Sequence, residues 1–396
     1  MAESHAHALP PSTRIDTYEI AEVLGVGSFG ITYKAHDHTL DRTVAVKEYL
    51  PSGLAYRESD SRTLSPVSAT EQESYAWGLR RFLDEARVLA RFNEPSIIRV
   101  IRYLEAHGTA YFVMDYVDGE SLFERIRRGP LSEDQARALL TPLLRGLGTV
   151  HANHYLHRDI KPHNIYLRGG EQPILLDFGC ARQHLGQASQ TMTVMGSPAY
   201  APFEQMHDGD KPLPSADIYS LGATAFHCVA GRPPPGCTKR ISALQANQPD
   251  PLEAGLQALA ESGAFSEEFL DVLDWMLSPR PTDRPQTTGD VLEALEGASL
   301  ATLRRASRAK AGEETVCDGL ETLPVSGGRQ DARGPWPEEL LQDLEAVLAR
   351  FIGPRALEAV RPEAARHREP GPLLEALAGR VADPARRDAF RARVRE

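Results

Sequence analysis

His157-Arg158-Asp159-Ile160-Lys161-Pro162-His163-Asn164 packs a carboxylate, an ammonium and a carboxamide into one turn-prone octapeptide. A carboxylate so placed can take the proton of a hydroxyl nucleophile, the ammonium can steady a transferred charge, and the amide oxygen can ligate a divalent cation. The octapeptide constrains the fold through the company it keeps in order along the chain. Gly25-Val26-Gly27-Ser28-Phe29-Gly30 and Val44-Ala45-Val46-Lys47 precede it, and Asp177-Phe178-Gly179 follows.

Tyr18 to Leu24 and Ile31 to Lys34 read as strands on either side of the glycines. Glycine at 25, 27 and 30 lets the backbone approach phosphate oxygens and present N–H groups without Cβ obstruction. The same spacing suits a plain hairpin turn or a dinucleotide fingerprint; the latter needs a helix straight afterwards, and β-favouring residues follow here. Thr43 to Lys47 alternates as a strand does, and a lysine ending a buried apolar strand is costly unless an anion awaits it. Pro173 to Asp177 is a strand that delivers a carboxylate at a glycine turn. That suits magnesium, a hard ion that takes oxygen ligands alongside substrate phosphates. Arg81 to Leu89 places Phe82, Ala86 and Leu89 on one helical face. Ile97 to Leu104 and Ala110 to Tyr116 form two strands around a turn at 106–109. Gly119 breaks the second strand before a helix near Ser121, and Ser132 with Gln135 opens another helix as a capping box.

In this order the segments match the protein-kinase signature set, and over residues 16–297 the chain resembles the serine/threonine protein kinases. It is most similar to their bacterial branch, on Lys47-Glu48-Tyr49-Leu50-Pro51 and Asn164-Ile165-Tyr166. The resemblance implies an α+β, two-lobed fold: a small antiparallel sheet lobe with one helix over about 16–117, and a larger, mainly helical lobe over about 118–297. It implies ATP with Mg2+, or Mn2+, as cofactors and protein Ser/Thr hydroxyls as acceptors. Lys47, held by Glu85 (with Asp84 as its rival), would orient the phosphates; Asp159 would accept the hydroxyl proton, and Lys161 would stabilise the γ-phosphate. Asn164 and Asp177 would hold the metal. Leu24, Gly25, Gly27, Ser28, Phe29, Gly30, Thr32, Ala45, Lys47, Met114, Asp115, Val117 and Tyr166 would surround the nucleotide. By the same resemblance His157 packs beneath Phe178, Glu204 pairs with Arg284, and Asp217 braces the catalytic loop. The chain departs from the family pattern at Thr32 and Tyr166, usually Val and Leu, at Glu204, which comes one residue late, and in an insertion at 48–75.

The remaining chain is less specific. A net charge of −11 argues against a general nucleic-acid role. No apolar run approaches the roughly 18 residues of a membrane span, so the expected compartment is the cytoplasm. Four cysteines without metal-like spacing, Cys180, Cys228, Cys237 and Cys317, imply reduced thiols. Residues 1–15 read as a disordered lead, 298–336 as a flexible linker and 337–396 as a small helical module. Within the linker, Leu303-Arg304-Arg305-Ala306-Ser307 has the form of a basic-directed phosphorylation site. Thr315 and Thr322 each follow a Glu, a context similar to those read by phosphothreonine-binding FHA domains. Arg158 beside the catalytic Asp favours activation by phosphate within 186–197, on Thr193 or Thr191, with Ser197 positioning substrate. The rival to an active kinase is a pseudokinase scaffold, which predicts loss of Lys47, Asp159, Asn164 or Asp177; all four are present. A third reading makes the helical module the functional part.

Overall fold

A computed structural model describes residues 7–178, 199–205, 213–317, 360 and 376–378. The first half is an antiparallel sheet built from β1 (Arg14–Ile15), β2 (Tyr18–Gly27), β3 (Gly30–Asp37), β4 (Arg42–Tyr49), β7 (Val100–Ala106) and β8 (Thr109–Asp115). A small hairpin, β5 (Ala55–Arg57) and β6 (Leu64–Pro66), and helix α1 (Gln72–Leu89) lie between β4 and β7 in sequence. The sheet order is β1-β2-β3-β4-β8-β7, so β4 runs through its middle. Alternation along β4 divides its side chains between two cores. Val44 and Val46 join Ile31, Tyr33 and Val113 on the outer face, while Ala45 and Tyr49 join Phe82, Phe112 and Met114 under α1. Fully burying each valine stabilises the lobe by about 1.5–3 kcal/mol.

The expected disordered lead is corrected over residues 7–15. Leu9 and Ile15 are both buried in the outer core, β1 pairs with β2, and the Leu9 N–H donates to Tyr33 Oη at 3.0 Å. Among the described residues no helix joins this outer core, and Leu9 and Ile15 pack into it.

The second half begins with β9 (Gly119–Ser121) and α2 (Leu122–Ile126), which Ser121 and Glu124 close with a reciprocal capping box. Helix α3 (Glu133–Ala152) starts at the Ser132–Gln135 capping box and buries Leu139, Leu140, Leu143, Leu144 and Leu147. β10 (Ile165–Arg168) and β11 (Gln172–Leu175) follow as a hairpin whose first strand also pairs with β9. Helices α4 (Pro214–Ala230), α5 (Cys237–Gln245), α6 (Glu253–Glu261), α7 (Glu267–Met276) and α8 (Thr288–Leu295) follow. α4 is buried along nearly its whole length and ends where Gly231 takes a φ of 67°, a left-handed cap that glycine adopts without strain.

The expected linker is corrected at its start, because helix α9 (Leu300–Cys317) occupies it. Among its described side chains Leu303 and Ser307, one turn apart, are buried. The Ser307 hydroxyl donates to Asp290 Oδ2 at 3.2 Å and accepts from the Gln286 N–H at 2.9 Å. A phosphate there would sit against a carboxylate, so the fold argues against Ser307 as a modification site. Two compact units result, 1–320 and 321–396. In the second, residues 360 and 376–378 are helical; the rest of the expected 337–396 module, with Thr322 and the Thr315 side chain, lies outside the described residues. Among the described residues no helix is long and apolar enough to cross a membrane.

Candidate active site

A cleft of about 790 Å³ opens beneath β2 and β3, and it collects residues from segments far apart in sequence. Leu24, Gly25, Gly27, Ser28, Phe29, Gly30 and Thr32 form its roof; Ala45 and Lys47 come from β4, Met114, Asp115 and Val117 from β8 and the chain after it, and Tyr166 from β10. Glu85, Asp159, Lys161, Asn164 and Asp177 line its inner end. Tyr116, between the expected Asp115 and Val117, lines it too, as do Val26, Phe82, Ile98, Gly119, Glu124, His163, Leu176 and Phe178, which were not anticipated as site residues. For Glu124 a signal existed, since the Ser-x-x-Glu capping box fixes where its carboxylate goes.

Register explains the position of Lys47. It faces Thr32 on β3 and Phe112 on β8, and its ammonium lies 5.4 Å from the Phe112 ring centre. Lys47 Nζ donates to Asp177 Oδ1 at 2.8 Å. Burial alone would lower the lysine's pKa, but Asp177, then Glu85, then Asp159 outweigh it and raise it. Burial likewise works against the Asp177 carboxylate, and Lys47 overrides it, holding that carboxyl below its ordinary range. Asp177 has a φ of 52° and Arg158 one of 67°, left-handed conformations that cost a non-glycine residue about 1–3 kcal/mol and collect at functional sites.

The catalytic-type loop is built on buried groups. Asp217, in α4, is fully buried and accepts from the N–H groups of His157 and Arg158, both at 2.8 Å. His157 Nε2 lies 2.8 Å from the carbonyl of Leu176, which can only accept, so this nitrogen carries the proton. Nδ1 then accepts from the Asp159 N–H at 3.3 Å, and the ring packs against Phe178, tilted, with centroids 4.4 Å apart. A neutral imidazole with both nitrogens engaged is a strut and not a base. Asp159 is gripped from two sides: Lys161 Nζ donates to Oδ2 at 2.9 Å, and Asn164 Nδ2 donates to Oδ2 and to the Asp159 carbonyl, each at 2.8 Å. Both Asn164 contacts are to acceptors, which assigns the amide nitrogen to that side and turns its oxygen the other way.

The model of the protein kinase domain matches residues 18–295. The chain belongs to the protein kinase family. Its relatives place this kinase in the bacterial serine/threonine branch. It is 31% identical over 289 residues to the serine/threonine-protein kinase PknA of Nostoc, covering 70% of this chain and 47% of that protein. It is 30% identical over 290 residues to PknB of Mycobacterium tuberculosis, covering 71% and 42%. The chain thus spans less than half the length of these curated relatives. Among solved structures, the PpkA-294 apo form is 36% identical with a TM-score of 0.65, covering 73% of this chain and 99% of that one. The Mycobacterium tuberculosis PknI kinase domain is 26% identical with a TM-score of 0.53, covering 74% and 100%.

Protein kinase domains use ATP and a divalent metal, and the kinase cleft suits both. A Cβ on Gly30 would stand 1.9 Å from the Glu48 carbonyl, so only glycine lets the loop close this tightly on β4. Asp177 and Asn164 offer oxygen donors of the hard kind. Among the described residues no three His, Cys, Asp or Glu side chains form a metal cage, and a small hard cation held by two protein oxygens completes its shell with phosphate and water. Gly179, Cys180, Thr191, Thr193 and Ser197 lie outside the described residues.

The kinase's buried histidines predict how its stability changes with pH. Burial lowers the pKa of His157 below 6.5 against the opposing pull of Asp217, and burial lowers that of His227. A folded pKa below the unfolded one means the unfolded chain binds more protons. Stability from these groups is therefore present above pH 6.5 and is lost as pH falls below it, each group contributing a slope of up to about 1.4 kcal/mol per pH unit. The thermal midpoint should drop between pH 7.5 and 5.5; a midpoint that rises over this interval would contradict the buried neutral histidines.

Proposed function

We propose that the chain is an active serine/threonine protein kinase that transfers the γ-phosphoryl group of Mg-ATP to Ser or Thr hydroxyls of proteins, itself included. One observation carries this reading. Lys47, Asp159, Lys161, Asn164 and Asp177, drawn from 131 positions of sequence (47 to 177), converge on one cleft and hydrogen-bond among themselves. A scaffold that transfers nothing has no need to keep a carboxylate, its lysine and its amide partner in this arrangement.

Mg-ATP, when bound, supplies the electrophilic phosphorus and most of the charge neutralisation. The protein's task is positioning and electrostatics. Lys47 presents an ammonium to the phosphates, with Glu85 steadying its charge. Asp177 and the Asn164 oxygen offer two ligands to the metal. Asp159 presents an acceptor for the hydroxyl proton, and Lys161, already beside it, places positive charge where negative charge develops. Leu24, Ala45, Met114 and Tyr166 provide apolar surface for the base, and Asp115 and Val117 offer backbone groups to its edge. Oxygen-only donors of this kind suit magnesium and also manganese. The Glu-Thr contexts at Thr315 and Thr322 favour an FHA-type phosphothreonine reader as a partner.

Replacing Asp177 by Asn tests the metal assignment. Removing the carboxylate charge should weaken nucleotide binding about tenfold or more when Mg2+ is present and little when it is chelated. Calorimetric titration with and without EDTA reads the difference, and equal losses in both conditions would overturn Asp177 as a ligand. Removing residues 337–396 and measuring transfer separates the main reading from one in which the helical module is the functional part.

A further inference from the structure

Alternation along β4 sends Val44, Val46 and Glu48 to the face opposite Lys47, which puts a carboxylate inside the sheet's outer core. Glu48 is 0% exposed. Its Oε2 accepts from Tyr33 Oη at 2.7 Å and from Arg57 Nη2 at 2.6 Å, and its Oε1 accepts from Tyr111 Oη at 3.0 Å. The tyrosines come from β3 and β8, the two strands that flank β4; the arginine comes from the inserted hairpin. Arg57 also donates to the His7 carbonyl at 2.7 Å and to the Arg62 carbonyl at 2.8 Å. None of Glu48, Arg57, Tyr33 or Tyr111 reaches the cleft, and no step of phosphoryl transfer uses them.

The inserted segment also grips the glycine-rich loop. The Leu50 N–H donates to the Phe29 carbonyl at 3.0 Å, and the Ser52 N–H donates to the Ser28 carbonyl at 2.9 Å. On its other side the Leu64 N–H donates to the His107 carbonyl at 2.8 Å, between β7 and β8, and the Val67 N–H returns to the Leu54 carbonyl at 2.9 Å. The chain then runs into α1, which carries Glu85. The segment therefore touches or continues into every element of the first half that sends a charged group or a phosphate-facing amide into the cleft.

We propose that residues 50–67 are a strap that holds the glycine-rich loop and Lys47 in register, with Arg57 as its positioning residue acting through Glu48. The proposal rests on the kinase reading of the cleft. Arg57 neutralises the Glu48 carboxylate in the outer core and ties the hairpin to the strand of Lys47. The Leu50 and Ser52 amides pass that anchorage to the loop tip. Loosening the strap should weaken the hold on nucleotide more than it slows the chemical step.

Two variants of the full chain test it. Arg57→Met removes the anchor and keeps the stem volume. Ser52→Pro removes one loop contact and leaves the core alone, since Ser52 is exposed. The turn from Pro51 to Leu54 is closed by the Leu54 N–H to the Pro51 carbonyl at 3.2 Å, and Gly53, third in that turn, has a φ of 81°. In a turn of this type the second position accepts proline, so Ser52→Pro keeps the turn and deletes the donor to Ser28. The readouts are the Kd for Mg-ATP by calorimetry and amide deuterium uptake over residues 25–32 without nucleotide. Each variant should bind Mg-ATP about tenfold more weakly and exchange faster over the loop, with the Ser52→Pro thermal midpoint near that of the parent. If Arg57→Met does not fold, Ser52→Pro decides alone. Binding within about twofold of the parent with unchanged loop exchange in Ser52→Pro would overturn the strap. A parent that binds no Mg-ATP would overturn the kinase reading and the strap with it.

Discussion

Asp159→Asn should lower phosphoryl transfer by about 10²–10⁴-fold, the usual contribution of a positioned proton acceptor, while leaving Mg-ATP binding nearly unchanged. The frame around the residue supports this separation. Backbone N–H groups of His157 and Arg158 are held by Asp217, and neither bond involves the Asp159 side chain. The substituted amide can keep its oxygen at the Oδ2 position, where Lys161 and Asn164 both donate, but its –NH2 then faces the Lys161 ammonium, which cannot accept. The loop should therefore keep its shape while losing the charge and the proton acceptor. Initial rates at saturating ATP, beside a calorimetric Kd, measure the two effects, and near-parental turnover would show that Asp159 is not the acceptor.

The second large effect is on stability. Arg284 is fully buried and Glu204 nearly so. The guanidinium donates to Glu204 Oε1 at 2.6 Å and Oε2 at 3.2 Å, to the Ser278 carbonyl at 2.6 Å and to the Pro279 carbonyl at 2.7 Å. It also lies over the Tyr219 ring at 4.7 Å. Arg284→Ala leaves a buried carboxylate and two carbonyls without their donors, and should cost about 3–5 kcal/mol. Glu204→Leu with Arg284→Met should cost less than Arg284→Ala alone, because no uncompensated charge is left buried. Urea unfolding of the three proteins reads this order. A loss below about 1 kcal/mol for Arg284→Ala, the value of an exposed pair, would mean that the pair does not organise this part of the lobe.

What the sequence made legible was the chemistry carried by short segments. Asp159, Lys161 and Asn164 are close in sequence, and a turn brings them together with little help from the rest of the chain. Capping boxes at Ser121 and Ser132 are equally local. The hydrogen bond of Lys47 to Asp177 spans 130 residues and was not anticipated: a lysine at the end of an apolar strand called for an anion, and the expected ones were the phosphates and Glu85. Period two along Val44, Val46 and Glu48 held a signal that went unused: a carboxylate on the buried face demands a cation, and Arg57 is that cation. The ordered lead was missed because its few buried residues, Leu9, Thr13 and Ile15, are scattered through a polar, proline-bearing run, and helix α9 because among its described side chains Leu303 and Ser307 are the buried ones. Both attach to surfaces formed by distant chain, which local composition does not report.

The central claim is that this cleft transfers phosphate to hydroxyl groups, and one measurement addresses it directly. The purified full chain and its Lys47→Met variant are incubated with Mg-ATP, alone and with added protein substrate, and phosphorylated residues are mapped by tandem mass spectrometry. The account predicts phosphoserine or phosphothreonine in the parent reactions and none in those of the variant; a parent that binds Mg-ATP yet yields no phosphorylated residue, or a variant labelled as fully as the parent, would contradict it.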